Sequence, residues 1–243
     1  MTARLRIDRL LVERGLFDSR AKAQAAIAAG LVSAGERQIG KASEEIDVDA
    51  ALTATPTHPY VSRGGVKLAA ALDHFGFNPK GRVCFDVGAS TGGFTQVLLE
   101  RGAAKVYAVD VGRGQLHQDL RQRPDVISLE ETDIRDFSKA RLRETPDFLV
   151  IDVSFISLKL VLPNALSLLA HRAQLIALIK PQFEAGPANL KRGIVRDAAV
   201  RADVCAAIVT LVAALGWRVA GVMPSPIAGG DGNAEFLLGA SRD

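Results

Sequence analysis

Four polar residues in this chain, Lys67, Asp152, Lys180 and Glu235, are of types that can move a proton, and three of them adjoin apolar runs. Asp152 follows Phe148-Leu149-Val150-Ile151, Lys180 follows residues 175–179, and Glu235 precedes Phe236-Leu237-Leu238. Lys67 lies in Ser62-Arg63-Gly64-Gly65-Val66-Lys67-Leu68. An open sheet builds its site beyond the carboxyl ends of its strands, so the four are expected to converge there. Lysines and carboxylates sharing a cleft shift each other's proton affinity. A neutral lysine can then take a proton from a hydroxyl as its oxygen attacks an electrophile, while the carboxylates orient the lysines. Taken singly, Lys67 and Glu235 read as surface charges and Asp152 as a helix cap. The set is what points to chemistry.

The electrophile is suggested by a second group of residues. An apolar strand, residues 83–87, runs into Phe85-Asp86-Val87-Gly88-Ala89-Ser90-Thr91-Gly92-Gly93-Phe94 and then a helix over 95–101. A strand, a glycine loop and a helix let backbone approach a nucleotide closely. The spacing G-x-x-x-G-G, with Asp86 two residues ahead, is neither the dinucleotide fingerprint nor a phosphate-binding P-loop. Asp110 ends the next strand, where a carboxylate accepts both ribose hydroxyls of an adenosine. Asp133, after the third strand, can accept from an adenine amino group. S-adenosylmethionine suits this acidic set, because its sulfonium is positive and it carries no phosphate. The hydroxyl deprotonated by Lys180 is then read as a ribose hydroxyl.

Other chemistries are disfavoured. Methylation of a base carbon needs a nucleophilic cysteine at a strand end, whereas Cys84 lies inside a strand and Cys205 on a helix over 200–215, both reading as core. Asp152-Val153-Ser154-Phe155 stands where exocyclic-amine methylation places a Pro-Pro-aromatic run. His58, His74, His117 and His171 have no metal-like spacing, and no metal is expected.

The elements that must position these residues alternate strand and helix. Apolar runs recur at 83–87, 105–109, 126–129, 148–151, 175–179, 217–223 and 236–239, the signature of a mainly parallel sheet with helices on both faces. The first fifty residues differ. Before Ser43 the basic residues outnumber the acids two to one, and residues 44–50 are acidic. Ile7, Leu10 and Leu11 mark one short helix, and Asp18 or Ser19 caps a second over 20–29 with Ala23, Ala26 and Ile27 as its stripe. Short strand-like pieces follow, at 31–33, 38–39 and 46–48. Thr53 to Pro59 reads TATPTHP, a linker. The division is a small module over 1–57, a linker over 58–61 and a large domain over 62–243.

Composition agrees. The chain has 243 residues, 48% hydrophobic and 23% charged, so a sizeable core can be buried. Two cysteines exclude a disulfide scaffold. The N-terminus threads charge through its apolar residues, unlike a signal peptide, and no run approaches the roughly 20 apolar residues of a membrane span. The expected setting is the cytoplasm, without membrane association. A net charge of +3 permits a nucleic-acid partner but matters only as a distribution.

Nearly the whole chain resembles the TlyA (haemolysin A-like) family, which joins an S4 RNA-binding domain to an FtsJ-like ribosomal RNA 2′-O-methyltransferase domain. The S4 likeness rests on Arg6-Ile7-Asp8-Arg9-Leu10-Leu11, Asp18-Ser19-Arg20-Ala21-Lys22-Ala23 and Ile27-Ala28-Ala29-Gly30-Leu31-Val32. The catalytic likeness rests on Val61-Ser62-Arg63-Gly64, the 86–95 loop, Asp152-Val153-Ser154-Phe155-Ile156-Ser157-Leu158, Lys180-Pro181-Gln182-Phe183-Glu184 and Gly232-Asn233-Ala234-Glu235. The resemblance implies an α/β, Rossmann-like S-adenosylmethionine-dependent domain behind a small α+β S4-like module. It maps a K-D-K-E tetrad onto Lys67, Asp152, Lys180 and Glu235. It places the methyl donor against Asp86, Gly88, Ser90, Gly92, Asp110, Asp133 and Phe155, and RNA against Arg4, Arg6, Arg20, Lys22, Lys41 and Arg63. Tyr60, in the linker tip, is read either as part of the coupling between RNA and cofactor binding or as a packing residue. The implied substrate is a cytidine ribose in ribosomal RNA, as free RNA or in a ribosomal subunit. The chain's short tail resembles the subgroup that acts on the large subunit. Two other readings stand beside it: a non-catalytic ribosome-binding or assembly factor, and a pore-forming haemolysin suggested by the family's name alone.

Overall fold

Residues 3–229 and 232–243 are described by a computed structural model, and the chain divides into two units, Met1–Pro59 and Tyr60–Asp243. In the first, β1 (Arg4–Arg6) leads into α1 (Ile7–Glu13), and α2 (Arg20–Ala28) is followed by β2 (Val32–Ala34), β3 (Arg37–Gln38), β4 (Glu45–Asp47) and β5 (Leu52–Ala54). The helical spacing buries Ile7, Leu10 and Leu11 against Ala23, Ala26 and Ile27. Helix α2 starts at Arg20 because Ser19 Oγ accepts from Lys22 N at 3.4 Å. Strand β1 pairs antiparallel with β4, and a second small sheet has the order β3-β2-β5.

Two of these strands correct the sequence reading. β1 was unforeseen, because three residues with two arginines carry no apolar alternation. The linker starts later than Thr53, because β5 pairs with β2 through Val32–Ala54 and Ala34–Leu52. Leu52 and Ala54 are half-buried around an exposed Thr53, a two-residue period too short to register by eye.

The second unit carries α3 (Gly64–Phe75), β6 (Val83–Val87), α4 (Gly93–Glu100), β7 (Lys105–Val109), α5 (Gln118–Arg121), β8 (Val126–Leu129), β9 (Phe148–Ile151), α6 (Leu158–Ser167), β10 (Ala173–Ile179), α7 (Pro181–Glu184), α8 (Ala198–Ala214), β11 (Arg218–Pro224) and β12 (Phe236–Arg242). Among the described residues these strands form a seven-stranded sheet, β11-β12-β10-β9-β6-β7-β8, parallel except at β12, which runs antiparallel to both neighbours. The strands alternate between two cores. Phe85, Leu149 and Ile151 pack with α6 and α8 on one face, and Cys84, Phe148 and Val150 pack with α3 and α4 on the other. Both faces are therefore dry, which explains the unbroken apolar runs. Cys84 is wholly buried, and burial pushes its thiol up, out of nucleophilic range. Cys205 is only half-buried on α8. Strand order reverses between β6 and β9, so the crevice expected to hold a ligand lies beyond Val87 and Ile151. Among the described residues no helix is long and apolar enough to cross a membrane.

Candidate active site

Gly88 and Asp152 are the first residues beyond the two strands that flank the reversal, and the backbones meet there. A Cβ on Gly88 would run into the Asp152 carbonyl, and its φ of 83° favours glycine besides. Two hollows open on either side of this contact. One is a cleft of about 810 Å³ walled by residues including Val109, Asp110, Asp133, Ile156 and Phe183. The other, of about 170 Å³, includes Ser62, Gly64, Phe94 and Lys180. They share Gly88, Ser90, Asp152 and Ser154 as a common wall.

The four residues proposed for proton chemistry form two ion pairs. Lys180 Nζ lies 2.6 Å from Asp152 Oδ1 and donates a hydrogen bond to Ser154 Oγ at 2.8 Å. Both side chains are partly shielded, at 11% and 20% exposure. Lys67 Nζ lies 2.5 Å from Glu235 Oε2, and this pair is buried, at 9% and 3% exposure. The sheet brings the pairs together. Ile179 of β10 opposes Phe236 of β12, so Lys180 and Glu235 are the next residues on adjacent strands. Lys67 and Glu235 line neither hollow.

The residues assigned to a nucleotide separate into those that face the cleft and those that shape it. Asp110 accepts from Ser90 N at 2.8 Å and Gly112 N at 2.7 Å. Those two bonds fix its carboxylate at the cleft wall with lone pairs to spare. Asp133 also lines the cleft; its carboxyl is held below the usual carboxylate range by the Arg135 guanidinium, 2.6 Å away. It is therefore an ionised acceptor. Gly88, Ser90 and Phe155 also line the cleft. Asp86 and Gly92 do not. Asp86 is wholly buried and accepts from Thr95 Oγ1 at 2.6 Å. Burial pushes its carboxyl up to about 7, against the Thr95 hydrogen bond and with help from the charge of Asp152. Gly92, at φ 99°, starts α4 and packs beneath Leu120 and Leu116.

Among the described residues, four besides glycine have positive φ: Ser90, Glu131, Phe155 and Arg192. The first three follow β6, β8 and β9, at the sheet edge where the site lies. Backbone held in this region clusters at functional sites. Phe155 is also 91% exposed, and its ring packs against that of Phe183, centroid to centroid at 5.1 Å.

Glu184 was not singled out by sequence reasoning, and it clamps the Phe155 loop. Its carboxylate accepts from Ser157 Oγ at 2.5 Å and from Leu158 N at 2.7 Å. The segments 152–158 and 180–184 are therefore joined rung by rung: Asp152 to Lys180, Phe155 to Phe183, Ser157 to Glu184. Glu184→Ala is expected to cost about 1–3 kcal/mol of stability, because it leaves the Leu158 donor at the start of α6 unsatisfied. Glu184→Gln retains one acceptor and is expected to recover part of that loss. Denaturant unfolding of the two variants checks it.

In the small unit two of the three proposed RNA-contacting arginines, Arg6 and Arg20, converge on one residue that the sequence reading counted only as an opposing charge. Asp8 is wholly buried. It accepts from Arg6 Nη2 at 3.1 Å, Arg20 Nη2 at 2.7 Å and Gln24 Nε2 at 2.8 Å. Arg6, foremost, holds its carboxyl far below the usual range despite burial. Arg6 and Arg20 keep about half of their surface in solvent, at 43% and 52%. Lys22 pairs with Asp18 at 2.8 Å, Arg4 donates to the Glu45 carbonyl at 2.6 Å, and Lys41 and Arg63 are exposed. Tyr60 packs on the catalytic unit's own core.

Comparison with known proteins places this geometry. The model of the FtsJ-like methyltransferase family matches residues 60–242. The 16S/23S rRNA (cytidine-2′-O)-methyltransferase TlyA of Mycobacterium tuberculosis is 42% identical over 98% of this chain and 90% of its own length. The 23S rRNA (cytidine-2′-O)-methyltransferase TlyA of Campylobacter jejuni is 40% identical over 73% of this chain and 69% of its own. A solved structure from Streptococcus thermophilus, carried as a candidate hemolysin, superposes with a TM-score of 0.79 at 40% identity, covering 100% of this chain and 90% of its own. The sheet, its switch point and these identities agree: the chain belongs to the TlyA group of the FtsJ-like methyltransferases.

Proposed function

We propose that this protein transfers the methyl group of S-adenosylmethionine to the ribose 2′-hydroxyl of a cytidine in ribosomal RNA, in the cytoplasm, with large-subunit RNA as target. The observation that carries the reading is Lys180, which lines the smaller pocket and is held against Asp152 and Ser154, two residues of the wall shared with a cofactor-sized cleft. The large-subunit RNA is the target common to the names of the two TlyA relatives.

The residues present fit the donor. A cleft of about 810 Å³ is within the range of ligand sites. It offers two carboxylates, Asp110 and Asp133, and backbone that only glycine permits at Gly88. When bound, S-adenosylmethionine supplies an electrophilic methyl group on a sulfonium. Asp110 accepts from ribose hydroxyls and Asp133 from an amino group. Phe155, clamped through Phe183 and Glu184, offers a ring face for stacking. Lys180 takes the proton from the acceptor's 2′-hydroxyl, and Asp152 holds the lysine in line and balances the charge it acquires. Lys67 and Glu235 position Lys180 and Asp152 from the buried side.

The small unit acts as the S4-like RNA-binding module over residues 1–57. Asp8 pre-orders Arg6 and Arg20 so that two guanidinium edges face the phosphate backbone, with Arg4, Lys22 and Lys41 adding charge. On the catalytic unit, exposed Arg63 is a further cation for RNA.

The test is labelled-methyl transfer into ribosomal RNA, with the product ribose located by mass spectrometry. Stoichiometric label on a single large-subunit cytidine 2′-oxygen is expected. RNA binding without label would instead indicate an assembly factor.

A further inference from the structure

The remaining positive-φ residue, Arg192, does not follow a sheet strand as the other three do. It sits with Gly193 at the tip of a tight hairpin, where Lys191 N donates to Ile194 O at 3.0 Å and Ile194 N to Lys191 O at 3.2 Å. Both tip residues have positive φ, 54° and 78°. A turn of that shape favours Asn-Gly, and an arginine in its first position is an unusual choice. The hairpin is nonetheless firmly attached. Asn233, buried and two residues from Glu235, donates to the Gly193 carbonyl at 3.2 Å. Val195 is buried, and Arg201 of α8 donates to the carbonyls of Val195 and Arg196, each at 3.1 Å.

The hairpin presents Lys191, Arg192 and Arg196, all exposed. Among the described residues none of the three side chains has a carboxylate partner. That contrasts with much of the same unit's surface, where Arg101, Arg113, Arg121, Arg123, Arg135 and Arg218 are each paired with an acid. Two nearby carboxylates are committed elsewhere. Asp197 caps α8 through Ala199 N at 2.8 Å, and Glu184 clamps the Phe155 loop. Three cations against the single charge of Asp197, on a tip tied to the Glu235 segment through Asn233 and following the Lys180–Glu184 segment in the chain, leave a net positive surface there.

We propose that the 191–196 hairpin is a second RNA-contact surface, on the catalytic unit itself, and that it holds the phosphate backbone next to the acceptor ribose. It rests on the reading of the protein as an RNA ribose methyltransferase. Its role is to keep the acceptor strand in the small pocket by Lys180, separately from the affinity that the small unit supplies. Such contacts position and carry no base sequence information. Each neutralised phosphate contributes about 0.7–0.9 to the slope of log affinity against log salt.

The experiment compares the full chain, the triple variant Lys191→Ala/Arg192→Ala/Arg196→Ala, and a control triple, Lys80→Ala/Arg143→Ala/Arg172→Ala, on an in vitro transcript of large-subunit ribosomal RNA. The hairpin variant is expected to lower the salt slope by about two to three. Between 50 and 200 mM salt the parent's affinity advantage over the variant therefore shrinks by roughly twenty- to fortyfold. Its KM for the transcript is expected to rise with kcat and S-adenosylmethionine binding unchanged, and the control should match the parent. A hairpin variant with the parent's slope and KM overturns the proposal, as does a control that changes equally. Loss of binding to anionic phospholipid vesicles, with RNA binding intact, would reassign the surface to a membrane and also overturn it. If the parent binds no RNA, the functional reading fails and takes this surface with it; if the parent binds and methylates RNA, only the hairpin is in question.

Discussion

Lys180→Ala is expected to leave S-adenosylmethionine and RNA affinity near parental values and to slow methyl transfer by roughly 10²–10⁴-fold, the usual contribution of a positioned acid or base. Single-turnover transfer at saturating RNA isolates the chemical step. The expectation rests on placement. Lys180 Nζ lines the small pocket and is fixed by two contacts, 2.6 Å to Asp152 and 2.8 Å to Ser154, both residues of the wall shared with the cleft. Lys180→Arg tests what the lysine does. A guanidinium keeps the positive charge but does not give up its proton at accessible pH. If Lys180 accepts the 2′-hydroxyl proton, the arginine variant is as slow as the alanine variant. If Lys180 only stabilises charge, arginine restores much of the rate. Full activity in Lys180→Ala would remove this residue from the mechanism altogether.

The seven strands of the catalytic unit were legible because parallel strands buried on both faces are written as plain apolar runs, 83–87 and 148–151 among them. The strand-end positions of Asp152 and Lys180 follow directly from that pattern. Partner identity does not. Lys67 and Glu235 are 168 positions apart, and only the antiparallel return of β12 puts Glu235 beside β10. The small unit was harder to read. Its strands are two or three residues long, so Leu52-Thr53-Ala54 looked like the start of a linker and Arg4-Leu5-Arg6 like nothing regular. Asp8 was invisible as an organiser, since a lone aspartate in a helix reads as solvated charge; burial beneath two arginines is a tertiary fact. Asp86 and Gly92 were read as ligand contacts because they belong to the glycine-loop motif. They serve the motif from behind instead, through Thr95 and Leu120. Glu184 stood in the sequence only as the end of the 180–184 motif, with no role of its own, and the Arg192 hairpin lacked any signal beyond composition, because their roles come from what they touch.

The buried pair Lys67–Glu235 is expected to separate stability from catalysis when it is removed in two ways. Glu235→Ala alone leaves a lysine ammonium uncompensated at 9% exposure. Breaking a buried pair in this manner costs about 3–5 kcal/mol, enough to bring a marginally stable domain close to unfolding. Lys67→Met with Glu235→Leu removes both charges and keeps apolar volume. Such replacements are often neutral or stabilising, because the desolvation penalty of both ions disappears. Chemical unfolding of the double variant is therefore expected at or above the parental midpoint. Its methyl transfer is expected to stay low, by roughly tenfold or more, or about 1.4 kcal/mol of transition-state stabilisation, with KM for RNA and donor unchanged. The reason is the register of the sheet. Ile179 faces Phe236, so Glu235 stands beside Lys180, and the charges of the buried pair contribute to the field in which Lys180 takes the acceptor's proton. A double variant as stable and as fast as the parent would show that the pair only staples α3 to the start of β12. A double variant that is stable but slow assigns the pair to the reaction, and a single variant could not tell these apart, because lost folding and lost chemistry would look the same.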